Sequence, residues 1–423
     1  MNMRTKRGIL LACSLLLAAL TAGCGRSSDN ADGVKTVHIY QFKVEISEAL
    51  ASLKTEFEKE HPDIKLEVQS VGGGTDYGAS LRAKFSSGDE PDIFTIGGNN
   101  ERDMWLEYLE DLSGEAWAKD VKPLAAEQMT IDGKLYGMPM NLEGYGFIYN
   151  KDLFKKAGIT EKPLTLTALR EASEKLKAAG ITPFANGYQE WFVLGNHNVN
   201  VPFAQQPNPE AFIAGLTDGS KTFAGDPIFS KWIDLLDLTV EYGNKNPLST
   251  DYNTQVTMLA SGEAAMMQQG NWTQGQIDGI DPNLNLGILP MPIDDTPEDN
   301  DKLYVGVPSN WVINKNSPVK EEAKVFLNWL VTSETGKKYI TKEFQFIPAL
   351  DNIKGTEEDL GALGAEVLAY TDKDQALTWN WTRLPNGMPQ ELSSSIQGYL
   401  GGKLTKEGML KEFQINWDNL SVQ

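Results

Sequence analysis

Cysteine and histidine are almost missing from this 423-residue chain, which has two of the first (Cys13, Cys24) and three of the second (His38, His61, His197). The histidines are scattered, with no HExxH element and no Cys/His cluster, so a structural transition-metal site is not expected. No Asp-rich calcium loop, no GxSxG elbow and no GxxxxGKS or GxxxxGKT loop occurs. Val71-Gly72-Gly73-Gly74-Thr75 is glycine-rich but has neither GxGxxG spacing nor a lysine, and reads as a loop rather than a phosphate cradle. Positive charge is also scarce. Against 58 Asp+Glu stand 38 Lys+Arg, and the formal net charge of −20 repels nucleic acid and anionic lipid headgroups. Nucleic acid is therefore not an expected partner, and no cofactor is expected. There is no internal repeat and no long low-complexity tract.

What is present begins at the N-terminus. Arg4, Lys6 and Arg7 precede the apolar run Ile9 to Leu20, and Thr21-Ala22-Gly23 supplies small residues. This pattern predicts a signal peptide over residues 1–23. Cys24 directly after Ala-Gly resembles a bacterial lipobox, in which the thiol is acylated, although Thr21 departs from the commonest pattern. Cys13 would leave with the leader, so no internal disulfide can form. Two acyl chains suffice for stable anchoring to the outer face of a cytoplasmic membrane. Residues 24–35 are polar and turn-rich, and read as a tether.

The remainder is long and 41% hydrophobic, which suits buried cores and exceeds what one core usually organises. Thr36 to Tyr40 and Ile64 to Val68 alternate as strands, with a helix from Ser47 to Glu60 between them that carries Leu50, Leu53 and Phe57 inward. That β-α-β order is a parallel crossover unit. A further strand is expected over Asp92–Ile96, and further helices over Leu164–Gly180, Asp234–Tyr242 and Glu321–Val331. The fold class is α/β.

Five segments carry a family resemblance: FEKEHPDIKLEV (Phe57–Val68), SGDEPDIFTIG (Ser87–Gly97), DGKLYGMPMNLEGYGFIYNKDLFKKAGI (Asp132–Ile159), SGEAAMMQQGNW (Ser261–Trp272) and the stretch Trp311–Tyr339. In order and spacing they resemble the extracellular solute-binding proteins of carbohydrate ABC importers, the group related to maltose- and multiple-sugar-binding proteins. The resemblance implies a two-lobed periplasmic-binding-protein-like fold with a ligand cleft between lobes and a multi-segment hinge. It places one lobe at residues 36–145 plus 290–345 and the other at 146–289 plus 346–423. The crossings are expected near Gly144–Phe147, Leu286–Pro290 and Gln345–Ala349. It further implies a monomeric, non-enzymatic receptor that closes on a carbohydrate and delivers it to ABC permease subunits in the membrane.

Sugars show flat C–H faces and hydroxyl rims, so aromatic rings among amides suit them. Asn271 and Trp272 beside Thr273 and Gln274 form such a cluster, as do Trp379, Trp381 and Arg383, and Gln189-Glu190-Trp191. Trp379 and Trp381 would point oppositely on an extended chain, leaving one to meet ligand. Lys43, Glu45, Asp76, Asn99 and Glu143 are polar candidates in loops or near the first crossing, weighed against helix caps and solvated charges. Trp311 reads as core, Trp105 as core or groove wall, and Met266-Met267 as strand packing. Two rivals remain: an extracellular glycoside hydrolase, which needs paired carboxylates across a cleft, and a binding protein of the same fold for a non-sugar solute. A surface sensor shares the fold.

Overall fold

The computed structural model describes residues 33–72 and 76–421. The expected leader, Cys24 and most of the tether lie outside the described residues. In chain order the strands are β1 (Lys35–Gln41), β2 (Ile64–Ser70), β3 (Ile93–Ile96), the short pair β4 (Thr130–Ile131) and β5 (Lys134–Leu135), β6 (Met138–Pro139), β7 (Glu143–Asn150), β8 (Thr182–Ala185), β9 (Ala264–Gly270), β10 (Leu286–Leu289), β11 (Leu303–Gly306), β12 (Asn310–Ile313) and β13 (Ala376–Thr378). They build two main sheets. The first runs β2-β1-β3-β12-β6, with β1 parallel to β2 and β3. The second runs β13-β11-β7-β9-β8, and β10 also pairs with β7.

Local sequence explains the elements. In the helix Ser47–Glu60, Leu50, Leu53 and Phe57 are buried and Pro62 follows its end. The Phe57 ring meets Phe326 and Trp329 edge-on, each at 5.2 Å. Those two belong to the helix Lys320–Thr332, which buries Ala323, Phe326, Leu327 and Leu330. Trp311, Met266 and Met267 are core residues as expected, and of the two alternatives for Trp105 the structure shows the core one. Central β7 and β9 are buried at every position, as expected for strands covered on both faces.

The chain passes between the sheets at Met140–Leu142, at Val307–Ser309 and in the stretch 344–350. Two of the expected crossings therefore need correction. Gly144–Phe147 already hydrogen-bond inside β7. Leu286–Leu289 form β10 against β7, and β11 follows in the same sheet, so the chain leaves that sheet only after Gly306. The three passages are tied together: the Met140 amide donates to the Ser309 carbonyl at 3.0 Å, and the Leu142 amide to the Ile347 carbonyl at 2.8 Å. Such a bundle of crossing strands can flex as one hinge. Among the described residues no helix is long and apolar enough to cross a membrane.

Candidate functional site

Strand register places the site. Tyr145 on β7 lies opposite Tyr304 on β11 and opposite Gly270 on β9. Opposed residues share a face, and so do residues two apart. One face of the second sheet therefore carries Glu143, Tyr145, Tyr304, Gly306, Gln268 and Gly270, at the C-terminal ends of β9 and β11. Ligands of α/β sheets bind outside those strand ends.

Two glycines on that face act as seats for indole rings. A Cβ on Gly270 would stand 2.1 Å from the Trp272 ring, and one on Gly306 would stand 2.6 Å from that of Trp379. The rings thus lie directly on backbone. Trp272 also donates from Nε1 to Gln269 Oε1 at 3.2 Å. Trp379 and Trp381 stack on each other at 4.4 Å and 29°, which overturns the expectation that they diverge. Strand β13 ends at Thr378 and Asn380 turns into helical backbone (φ −107°, ψ −11°), so the alternation does not apply. Trp379 is the buried member, and Trp381 is partly exposed above it.

The rings continue outward. Tyr145 stacks on Tyr304 at 5.0 Å and on His197 at 4.9 Å. His197 lies 5.2 Å from Trp272 and 5.8 Å from Trp381. Phe192 meets His197 edge-on at 5.7 Å, and Trp191 meets Phe192 edge-on at 6.2 Å. Trp191 is 42% exposed. An aromatic row thus runs from a surface indole to the buried Trp379.

The polar candidates are placed differently from one another. Lys43, in the loop after β1, reaches Glu143 on the second sheet at 2.5 Å and Glu45 at 3.1 Å. Burial pulls its pKa down, but the Glu143 and Glu45 carboxylates outweigh this and hold the ammonium above its ordinary pKa. Its charge also lies 5.3 Å from the centre of the Phe346 ring, beside the hinge. Asp76 is exposed and caps the helix Tyr77–Ser87, accepting from the Ala79 amide. Asn99, at φ 52°, donates to the Thr382 hydroxyl at 3.0 Å, and neighbouring Asn100 donates to the Leu384 carbonyl at 2.7 Å. Asn271 is buried and accepts from the Gly144 amide at 2.8 Å, which fastens β9 to β7. Arg383 pairs with Glu210 and, at 3.1 Å, with Glu127. The segment Trp379–Leu384 therefore carries two stacked indoles and also bonds to loops of the first sheet.

Sequence reading missed Tyr145, Tyr304, His197 and Gln268. Tyr145 had one available signal, its position between Gly144 and Gly146. His197 sits in a π-helical turn, Val193–Asn198. Such turns are rare and cluster at functional sites. Burial pushes its imidazole down to about 3, against a smaller upward pull from Gln268. The folded protein keeps His197 neutral where the unfolded chain protonates it, so stability falls as pH drops below the ordinary histidine value toward 3. Between pH 7.5 and 5 the wild type is expected to lose about 2 kcal/mol more than His197→Phe. Urea melts at the two pH values measure this, and identical losses would place the imidazole in a more solvated setting.

Residues 43–337 match the family described as bacterial extracellular solute-binding protein. A multiple sugar-binding protein of Streptococcus mutans is 26% identical over 377 residues, covering 86% of this chain and 87% of that protein. The melibiose/raffinose/stachyose-binding protein MelE of Bacillus subtilis is 28% identical over 355 residues, covering 79% of each. Among solved structures, that of RafE in complex with raffinose superposes with a TM-score of 0.79 at 24% identity, over 91% of this chain and 99% of that one.

Proposed function

Because the chain belongs to the bacterial extracellular solute-binding proteins, we propose that it captures an oligosaccharide between its two sheets and delivers it to an ABC permease, with no bond made or broken. The observation that carries this reading is the row of rings ending in Trp272, Trp381 and Trp379, bordered by amides and hydroxyls. Stacking needs an uncovered aromatic face, and partly exposed Trp272, Trp381 and Trp191 supply it. The names of the relatives, which include raffinose and stachyose binders, favour a sugar of several units over a non-sugar solute.

Hydrolysis is the less favoured reading. It requires two available carboxyl groups astride the scissile bond. Around the rings, Glu143 and Glu45 are held by Lys43, while Glu127 and Glu210 are held by Arg383.

The moving lobes are proposed to follow the sheets, one built on β1–β6 and β12, the other on β7–β11 and β13. Ligand contacts from both favour the closed state, which docks the permease. Acylation of Cys24 would hold this monomeric receptor at the outer membrane face. Micromolar affinity corresponds to about −8 kcal/mol, within reach of two stacked rings and several hydrogen bonds.

The chain from Gly25 onward, titrated with raffinose, stachyose, maltotriose, xylotriose and chitotriose, tests the reading. A saturable change in tryptophan fluorescence with at least one sugar, and no new reducing ends, is the expected result. Release of reducing sugar would favour the hydrolase, and silence across the panel would favour a non-sugar solute.

A further inference from the structure

The two ends of the aromatic row differ, and the second sheet places them. Strand β7 is antiparallel to both β9 and β11, while β8 runs parallel to β9 and β13 parallel to β11. Those four strands therefore point the same way, and the segments that follow them leave from one end of the sheet. Strands β8 and β13 are its two edges, four strand spacings or about 19 Å apart. Trp191 comes shortly after β8, and Trp379 and Trp381 come directly after β13. The row thus crosses the sheet from edge to edge, far enough to carry several sugar units in line.

At the β13 edge, loops of the first sheet sit directly on the end of the row. Asn99 donates to the Thr382 hydroxyl at 3.0 Å, Asn100 donates to the Leu384 carbonyl at 2.7 Å, and Glu127 pairs with Arg383 at 3.1 Å. Contacts this short leave no gap wide enough for a pyranose ring. The β8 edge is built the other way. Gln189 and Glu190 bond to Thr250, Tyr252 and Gln397, all on the second sheet's side. The loop after β1 faces this edge. Burial, and then the charge of Glu45, hold the Tyr252 phenol above its ordinary pKa, and the Tyr252 ring meets Phe192 edge-on at 6.1 Å. Here Trp191 is 42% exposed and Val44 is 45% exposed.

A cleft that is blind at one end and open at the other admits a chain by its terminus. We propose that the terminal unit of the oligosaccharide stacks on Trp381 at the blind end, and that the following units run toward Trp191 and out past it. The proposal rests on the carbohydrate reading and adds a substrate class to it: oligosaccharides that share one terminal unit and differ in length at the other end. An internal stretch of polymer does not fit, because it would have to continue through the bonds of Thr382, Arg383 and Leu384.

The test lengthens the ligand from each end in turn. The sugar of the panel that wild type binds best is titrated calorimetrically, beside two homologues carrying one more unit at the reducing or at the non-reducing end. One homologue should bind within about threefold of the parent, and the other should lose at least about tenfold. Trp191→Ala, an exposed change whose folding a thermal melt checks, should weaken the tolerated homologue by about threefold or more, and the loss should grow with chain length. Equal tolerance of both extensions, or rejection of both, overturns the proposal. So does a Trp191→Ala loss that is the same at every length, or no loss at all, since the chain would then not pass that ring. If wild type binds no sugar of the panel, the carbohydrate reading itself has failed, and the proposal falls with it.

Discussion

Lys43→Met is expected to destabilise the protein by about 3–5 kcal/mol, because it leaves Glu143 buried without its counter-charge. The pair is nearly inaccessible, with side-chain exposures of 3% and 6%. Glu143 keeps only the weaker donation from Asn141 Nδ2 at 3.1 Å. Methionine preserves the apolar stem beside Phe346, so lost packing contributes little to the expected change. The double variant Lys43→Met/Glu143→Gln should be markedly more stable than the single one, since no lone charge then remains inside. Urea unfolding of the four proteins of that cycle gives the coupling directly. A single-variant loss below about 1 kcal/mol would mean that water reaches Glu143 and that the pair behaves like a surface one. The bond also joins the loop after β1 to the first residue of β7, so it spans the two sheets beside the hinge.

The tryptophans are expected to divide into platform and support. Trp272→Ala should lower sugar affinity at least tenfold, about 1.4 kcal/mol, with a modest stability cost because the ring is partly exposed. Trp379→Ala should cost affinity and also about 3–5 kcal/mol of stability, since that ring is buried beneath Trp381 on the Gly306 seat. Calorimetric titration separates the two effects when paired with thermal melts. Unchanged affinity in folded Trp272→Ala would remove that ring from the site. Equal stability losses in the two variants would contradict the division.

Much of this architecture is legible in the sequence, for a local reason. Strand alternation, helix stripes and the stop at Pro62 depend on residues a few positions apart, and β1, β2 and the helix between them follow from them. The second crossing does not. Leu286-Gly287-Ile288-Leu289 is a short apolar run, and such a run fits a buried strand within a sheet as well as a passage between sheets. Only the pairing of Leu289 with Phe147 decides it. Partners of charged residues are equally hidden: Lys43 and Glu143 are 100 positions apart, and Arg383 meets one carboxylate from each side of the cleft. These ion pairs arise from tertiary placement, which the local sequence does not encode. His197 shows the limit most plainly. One of three scattered histidines becomes the centre of the aromatic row through a π turn and a register between β7 and β9 that its own neighbourhood does not encode.

A crystal structure with the best-bound sugar of the panel is the most direct measurement. The expected result is a pyranose ring stacked on Trp272 or Trp381, its hydroxyl rim bonded to side chains from both sheets. A sugar seated instead in the groove between Gln189, Leu248, Gln397 and Leu404, away from the indoles, would contradict it.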